Sequence, residues 1–254
     1  MGIRFIFGRA GSGKSHYCLE QIKKKISNDK NNKLILLVPD QYTFQTEKKL
    51  LEAVGEKAQL RAEVLSFKRM ATRVFDNCGG RATEVIKDSG KNMLIYKLLK
   101  DKGEELLYFS KISRQQGFVG IVAKSITEFK KYNISEEILR EKEADINSDE
   151  LKEKIKDLAS IYEDFNNSLH KGYIDSDDIL TLLAYKLREC DLYKGAEIWV
   201  DEFTTFTPQQ LEVLNILGKQ CKTVNITLCS NDQNNLSDGE TDIFDAIKNT
   251  EKKI

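Results

Sequence analysis

The chain has 254 residues, 40% hydrophobic and 31% charged, and its 40 Lys and Arg balance 40 Asp and Glu to a formal net charge of zero. That composition supports one large globular domain, or one domain carrying an insertion, and no stretch approaches the ~18 uninterrupted apolar residues of a membrane span. Five scattered cysteines (Cys18, Cys78, Cys190, Cys221, Cys229) without a C-x-x-C pair argue against a zinc or iron–sulfur site here and predict buried free thiols in a reducing cytoplasm.

Residues 3 to 7, Ile-Arg-Phe-Ile-Phe, read as a short buried strand that starts too early to leave room for a signal peptide. Gly8-Arg9-Ala10-Gly11-Ser12-Gly13-Lys14-Ser15 follows and fits the phosphate-loop pattern G-x-x-x-x-G-K-[ST] at every fixed position. Glycines let successive N–H groups converge on an anion, the Lys14 ammonium suits β/γ-phosphates, and the Ser15 hydroxyl suits Mg²⁺. Tyr17, Leu19, Ile22 and Ile26 then recur at helical spacing, so the loop opens onto a helix N-terminus that itself favours phosphate.

Lys33 to Val38 is a continuous apolar run after its first residue and predicts a strand buried on both faces of a parallel sheet. Pro39 ends it, Asp40 to Phe44 makes a loop, and a helix starts at Thr43 or Phe44. Ala62 to Phe67 is a third strand, followed by a helix from Lys68 to about Asn77. Strand–loop–helix has then occurred three times, which predicts a doubly wound α/β sheet with right-handed crossovers. From about Lys91 to Cys190 strand signals all but vanish and apolar residues recur at helical spacing, which predicts a helical insertion over 82–190. Ser176-Asp177-Asp178 reads as the cap of a helix over Ile179 to Leu187.

The sheet pattern returns with Ile198-Trp199-Val200 running into Asp201 and Glu202. Thr207 as N-cap, Pro208 at the first helical position and Gln210 closing a capping box predict a helix to about Leu217, ended by Gly218. Thr223 to Cys229 is a fifth strand, Ser230 to Asp242 a polar loop, and a last helix begins near Ile243. Residues 249–254 carry no stop signal, so the chain is expected to continue beyond them. Charge is uneven: residues 1–80 hold 15 Lys/Arg against 8 Asp/Glu, which suits phosphates of a nucleotide or a nucleic acid but equally a solvated lysine-rich face.

A phosphate loop needs an acid to complete Mg²⁺ coordination and another to orient water, and Asp201 and Glu202 fit those roles in that order. Gln41 follows a buried strand at the ligand edge of the sheet, where it reads equally as a phosphate or base contact and as an ordinary loop residue. Ser66, Phe67, Lys68 and Arg69 hold the matching place after the third strand. A hydroxyl, an aromatic ring and two cations suit phosphate contact plus base stacking, although Phe67 alone reads better as core.

These segments in this order, namely the phosphate loop, Val38 to Phe44, Ser66 to Arg69 and Val200 to Gln209, resemble the N-terminal part of the AddB family. That family supplies one of the two subunits of bacterial AddAB (RexAB-type) helicase–nucleases and is similar in layout to superfamily 1 helicases. The resemblance covers essentially the whole chain, and the long helical insertion before the Asp-Glu strand is its most specific part. It implies a RecA-like ATP-binding motor domain (1–81 with 191–254) interrupted by a helical subdomain (82–190). It also implies single-stranded DNA contacts at Gln41, Thr43, Phe44, Ser66, Phe67 and Arg69, duplex DNA nearby, an AddA-like partner in a heterodimer, and scanning for the Chi recombination signal. The family's second motor domain, nuclease domain and iron–sulfur cysteines would lie beyond Ile254. This chain alone would therefore bind ATP with Mg²⁺, hydrolyse it slowly if at all, and cut no DNA. Two competing readings are a P-loop small-molecule kinase with the insertion as a lid, and an ATP-dependent scaffold without turnover.

Overall fold

The computed structural model describes residues 2–28, 32–55, 61–79, 84–169 and 172–229. The loop and helix predicted after Cys229 lie outside the described residues. In chain order the elements are β1 (Ile3–Gly8), α1 (Lys14–Asn28), β2 (Leu34–Leu37), α2 (Thr43–Val54), β3 (Ala62–Leu65), α3 (Phe67–Cys78), β4 (Glu84–Ile86) and α4 (Asp88–Lys102). They continue with α5 (Gln116–Lys131), α6 (Glu136–Glu143), α7 (Asp149–Leu169), β5 (Tyr173–Asp175), α8 (Ile179–Glu189), β6 (Glu197–Val200), α9 (Pro208–Gln220) and β7 (Thr223–Cys229). The chain divides into two compact units, 1–79 with 180–254 and 80–179.

The first unit is α/β, with a five-stranded sheet among the described residues in the order β1-β7-β6-β2-β3, every pairing parallel. All four residues of β2 and all four of β6 are buried. Helices on both faces of a parallel sheet leave no wet side, so these strands read as apolar runs instead of alternating ones. Trp199 on β6 joins Cys18 and Ile22 of α1, Leu36 of β2 and Leu50 of α2 in one cluster. Buried Glu197 opens β6, and its carboxylate is held by Lys25 at 2.6 Å and Lys222 at 3.0 Å. Burial raises the carboxyl's affinity for a proton, but hydrogen bonds from these two lysines outweigh it and hold the group below the usual glutamate range.

Three features depart from the sequence reading. α9 begins as predicted, with Thr207, Pro208 and Gln210 forming the complete capping box, yet it runs through Gly218 to Gln220. Gly218 is instead a contact point, because a Cβ there would lie 2.8 Å from Cδ1 of Ile3 on β1. Gly218→Val is therefore expected to destabilise the sheet unit by about 1–3 kcal/mol in thermal melts, through overpacking and a β-branched residue in a helix. Adding Ile3→Ala should recover part of that loss, and no recovery would show that the Ile3 contact is not the cause.

Cys78 and Cys190 are bonded to each other, with Cα atoms 6.1 Å apart, which corrects the expectation of five free thiols; Cys18, Cys221 and Cys229 are free. Finally, α8 from Leu180 onward belongs to the sheet unit, not to the insertion. Thr181 accepts from Gln209 Nε2 at 3.0 Å, the Leu187 carbonyl accepts from Gln220 Nε2, and Arg188 pairs with Glu212 at 2.6 Å. Helical periodicity shows that a segment is a helix but carries nothing about which core takes its apolar face.

The second unit is helical, with α4, α5 and α7 closing over Ile95, Leu99, Phe118, Val122, Ile126, Tyr162 and Phe165. Its one surprise is a short parallel pairing of β4 with β5, each three residues long and too short to leave a periodic signal. A polar cluster sits inside this unit. Lys91 of α4 and Lys130 of α5 both reach Asp175 at the end of β5. Asp157, also buried, accepts hydrogen bonds of 2.9–3.0 Å from the backbone N–H groups of Leu107, Tyr108 and Phe109, and so fixes the loop after α4.

Candidate functional site

The glycines of the first loop are required by its backbone. Gly11 and Gly13 sit at φ +76° and +87°, where a Cβ is strained, and a Cβ on Gly8 would collide with the Ser12 side chain. The loop closes on itself through Ser12 N–H to Arg9 O at 3.1 Å, and α1 begins at Lys14. Lys14 Nζ donates to the carbonyls of Gly8 and Arg9, both at 2.8 Å, so its ammonium lies across the mouth of the loop. Gly8, Arg9, Ala10, Gly11, Ser12 and Gly13 thus frame one concave backbone at a helix N-terminus, the arrangement that receives phosphate.

One of the two carboxylates comes to the same place. Ser15 Oγ donates to Glu202 Oε1 at 3.1 Å, a contact between residues 187 positions apart. Strand order explains it. β7 lies between β1 and β6, Ile226 pairs with both Phe5 and Val200, and β6 ends there, so the residues after Val200 emerge beside the loop that follows β1. Glu202 is exposed and holds φ +65°, a left-handed conformation that a non-glycine residue adopts at a cost of about 1–2 kcal/mol. Such strain at a turn bearing a carboxylate is common at working sites.

Asp201 is placed differently. It is 4% exposed, its backbone N–H donates to Leu37 O at 2.9 Å, and its Oδ1 accepts from Thr227 Oγ1 at 2.5 Å. Thr227 on β7 was not singled out by the sequence, although Asn225 and Thr227 interrupt an otherwise apolar strand and both are buried. The Cys18 thiol, one turn into α1 and wholly buried, is pushed up to about 12 by burial first and by the Asp201 charge second. It is therefore an inert packing group under the loop and not a nucleophile.

The donor set fits a magnesium ion. Ser15 offers a hydroxyl and Asp201 and Glu202 offer carboxylates, all hard oxygen ligands. Among the described residues no three His, Cys, Asp or Glu gather into a metal cage. Mg²⁺ suits such a sparse set, because it keeps waters and substrate phosphates as its remaining ligands.

The residues proposed for nucleic acid separate into two groups. Phe44 is 79% exposed, Gln41 is exposed in a single 3₁₀ turn over Asp40–Tyr42, and Arg69 is exposed but paired with Glu47. Thr43, Ser66 and Phe67 are buried, and for Phe67 that matches its reading as core. Thr43 Oγ1 donates to Asp40 O at 2.9 Å, and Ser66 Oγ caps α3 by accepting from Arg69 N–H at 3.2 Å. The Phe67 ring meets Phe203 edge-on at 5.6 Å, and Phe203 stacks on Phe206 at 5.0 Å. These three aromatics tie the loop after β3 to the loop after β6.

Residues 5–254 match the family model described as ADDB, N-terminal. The chain is 54% identical over 254 residues to an ATP-dependent helicase/deoxyribonuclease subunit of Clostridium perfringens strain 13, covering all of this chain and 22% of that protein. It is 48% identical over 256 residues to the protein of the same name from Clostridium botulinum strain Loch Maree, and 47% over 255 residues to that from Clostridium kluyveri. In both cases all of this chain and again 22% of the relative are covered, so the chain spans about a fifth of the length of these curated relatives.

Proposed function

This chain belongs to the AddB N-terminal family, and on that premise we propose that its sheet unit is the ATP-binding motor portion of a helicase–nuclease subunit acting in DNA double-strand break repair and recombination. The observation that carries this reading is the hydrogen bond from Ser15 to Glu202, which brings the glycine-rich loop and the acidic end of β6 into contact. The full-length protein works in the cytoplasm with an AddA-like partner. Its DNA path, a strand of single-stranded DNA scanned for Chi, runs past Gln41, Phe44 and Arg69. Phe44 offers a bare aromatic face for base stacking, and Arg69 exchanges Glu47 for a backbone phosphate. The helical unit is the insertion of the motor domain.

At this loop the backbone N–H groups of residues 9–15 other than Ser12, together with the Lys14 ammonium, bind the triphosphate. Lys14 leaves its two carbonyl partners to do so. Ser15 Oγ and Asp201 would be the protein ligands for Mg²⁺, which would neutralise phosphate charge. Glu202 orients the attacking water and accepts its proton.

The test is ATP binding and turnover by the full-length protein, with and without single-stranded DNA, alongside Glu202→Gln. The amide cannot accept the water's proton, so binding is expected to persist while turnover falls by roughly 10²–10⁴-fold. A wild-type protein that binds ATP and shows no turnover for the variant to lose would favour the scaffold reading. Absence of Mg²⁺-dependent nucleotide binding would end the motor reading altogether.

A further inference from the structure

Thr227 has a role in this pocket that the loop motif and the acidic pair do not convey. It sits on β7, between the strand that carries the loop and the strand that carries the acids, and is 2% exposed. The register sets Ile226 beside Val200, so the next residue along each strand is Thr227 and Asp201. In-register residues of parallel neighbours share a face, and the Thr227 hydroxyl accordingly meets Asp201 Oδ1 at 2.5 Å. Asp201 is only 4% exposed, and its Oδ2 accepts no hydrogen bond from the described residues. That second oxygen is not among the buried unpaired atoms of the described residues, so it is open to solvent and to a ligand while the first is tied down. The neighbouring groups say which ligand: Ser15 Oγ and Glu202 are hydrogen-bonded to one another at the loop, and the charge of Asp201 is felt at Cys18 one helical turn away.

We propose that Thr227 is a positioning residue for Asp201, its hydroxyl locking one carboxylate oxygen so that the other is presented to the magnesium shell of the bound nucleotide. A free Asp side chain at the end of a strand samples several rotamers. A short hydrogen bond from an adjacent buried strand selects one before nucleotide arrives, so less ordering is left for the binding step. The β-branched threonine is also stiff at χ1 within a strand, which fixes where its hydroxyl points. This inference rests on the nucleotide reading above and deepens it.

The test uses the full-length protein and a fluorescent ATP analogue, titrated with Mg²⁺ at fixed nucleotide and also measured in EDTA. Thr227→Val keeps shape and removes the hydroxyl, while Thr227→Ser keeps the hydroxyl. The valine variant is expected to need roughly tenfold or more Mg²⁺ for half-maximal tightening, with affinity in EDTA unchanged within about twofold, because support groups behind metal ligands typically contribute ~10–100-fold to metal affinity. The serine variant should follow the wild type. If the valine variant does not fold, Thr227→Ala carries the same expectation. Unchanged Mg²⁺ dependence in the hydroxyl-free variants would overturn the proposal, as would a serine variant as impaired as valine. A wild type with no Mg²⁺ effect on binding would remove the nucleotide reading and this inference together, so the two failures are distinguishable.

Discussion

Asp175→Ala should destabilise the helical unit by about 3–5 kcal/mol, enough to unfold it partly at physiological temperature. Asp175 is wholly buried, and its Oδ2 lies 2.9 Å from Lys91 Nζ and 3.1 Å from Lys130 Nζ. Both lysines are buried as well. Lys91 is completed by Asp177 at 2.7 Å and Thr127 Oγ1 at 2.9 Å, and Lys130 by Asp178 at 2.6 Å. Their ammonium groups also lie 5.5 Å and 5.2 Å from the centre of the Phe165 ring. Removing the shared carboxylate takes one charge-assisted interaction from each ammonium, about 1.5–3 kcal/mol apiece, and leaves Lys91 with Asp177 and Lys130 with Asp178 as single carboxylate partners. The same deletion at an exposed pair such as Lys142–Asp145 should cost under ~1 kcal/mol, since water already solvates both partners. Hydrogen exchange read separately over residues 84–169 and over the strands of the sheet gives the comparison. Protection lost in α4, α5 and α7 is the expected result. Equal, small effects of the two substitutions would show that the cluster does not hold the unit together.

Lys14→Ala is expected to weaken ATP binding by about 100-fold or more while leaving the loop's shape intact. The backbone there is set by Gly8, Gly11 and Gly13 and by the start of α1, none of which needs the lysine side chain. What disappears is the one ammonium lying across the loop, held 2.8 Å from the Gly8 and Arg9 carbonyls. A full charge against a triphosphate is worth more than either neutral hydrogen bond it gives up, and charge-assisted bonds to phosphate are about twice as strong as neutral ones. Thermal stability without nucleotide should therefore change little. The stabilisation that ATP confers on the wild type, which follows ligand concentration over Kd, should vanish in the variant. Retention of that ATP-induced shift would mean that Lys14 is not at the nucleotide and that ATP binds elsewhere.

Much of the site was legible in the chain itself, because its parts are local. The phosphate loop is eight consecutive residues whose glycines are demanded by backbone conformation, and the α9 capping box occupies four. Apolar runs of five residues (Leu34 to Val38) and three (Ile198 to Val200) marked β2 and β6, since burial on both faces leaves no alternation to confuse them. What these signals lack is any information about partners. Ser66 and Thr43 carry no sequence signal that separates a capping or turn hydroxyl from a surface contact, whereas Phe67 already reads better as core. Only the local bonds that Ser66 and Thr43 make show them to be internal, and the packing of Phe67 against Phe203 agrees with its reading.

The sequence by itself determined the α/β class, the phosphate loop and the existence of two acids at the end of an apolar strand, because each depends on neighbours within a turn or two. Tertiary structure alone decided that Glu202 meets Ser15 across 187 positions, that Thr227 holds Asp201, that Gly218 admits Ile3 and that α8 joins the sheet unit. The first two follow from the order β1-β7-β6-β2-β3, in which strands far apart in the chain lie side by side. That order is set by the combined burial of many distant side chains, a sum that no short window of sequence contains.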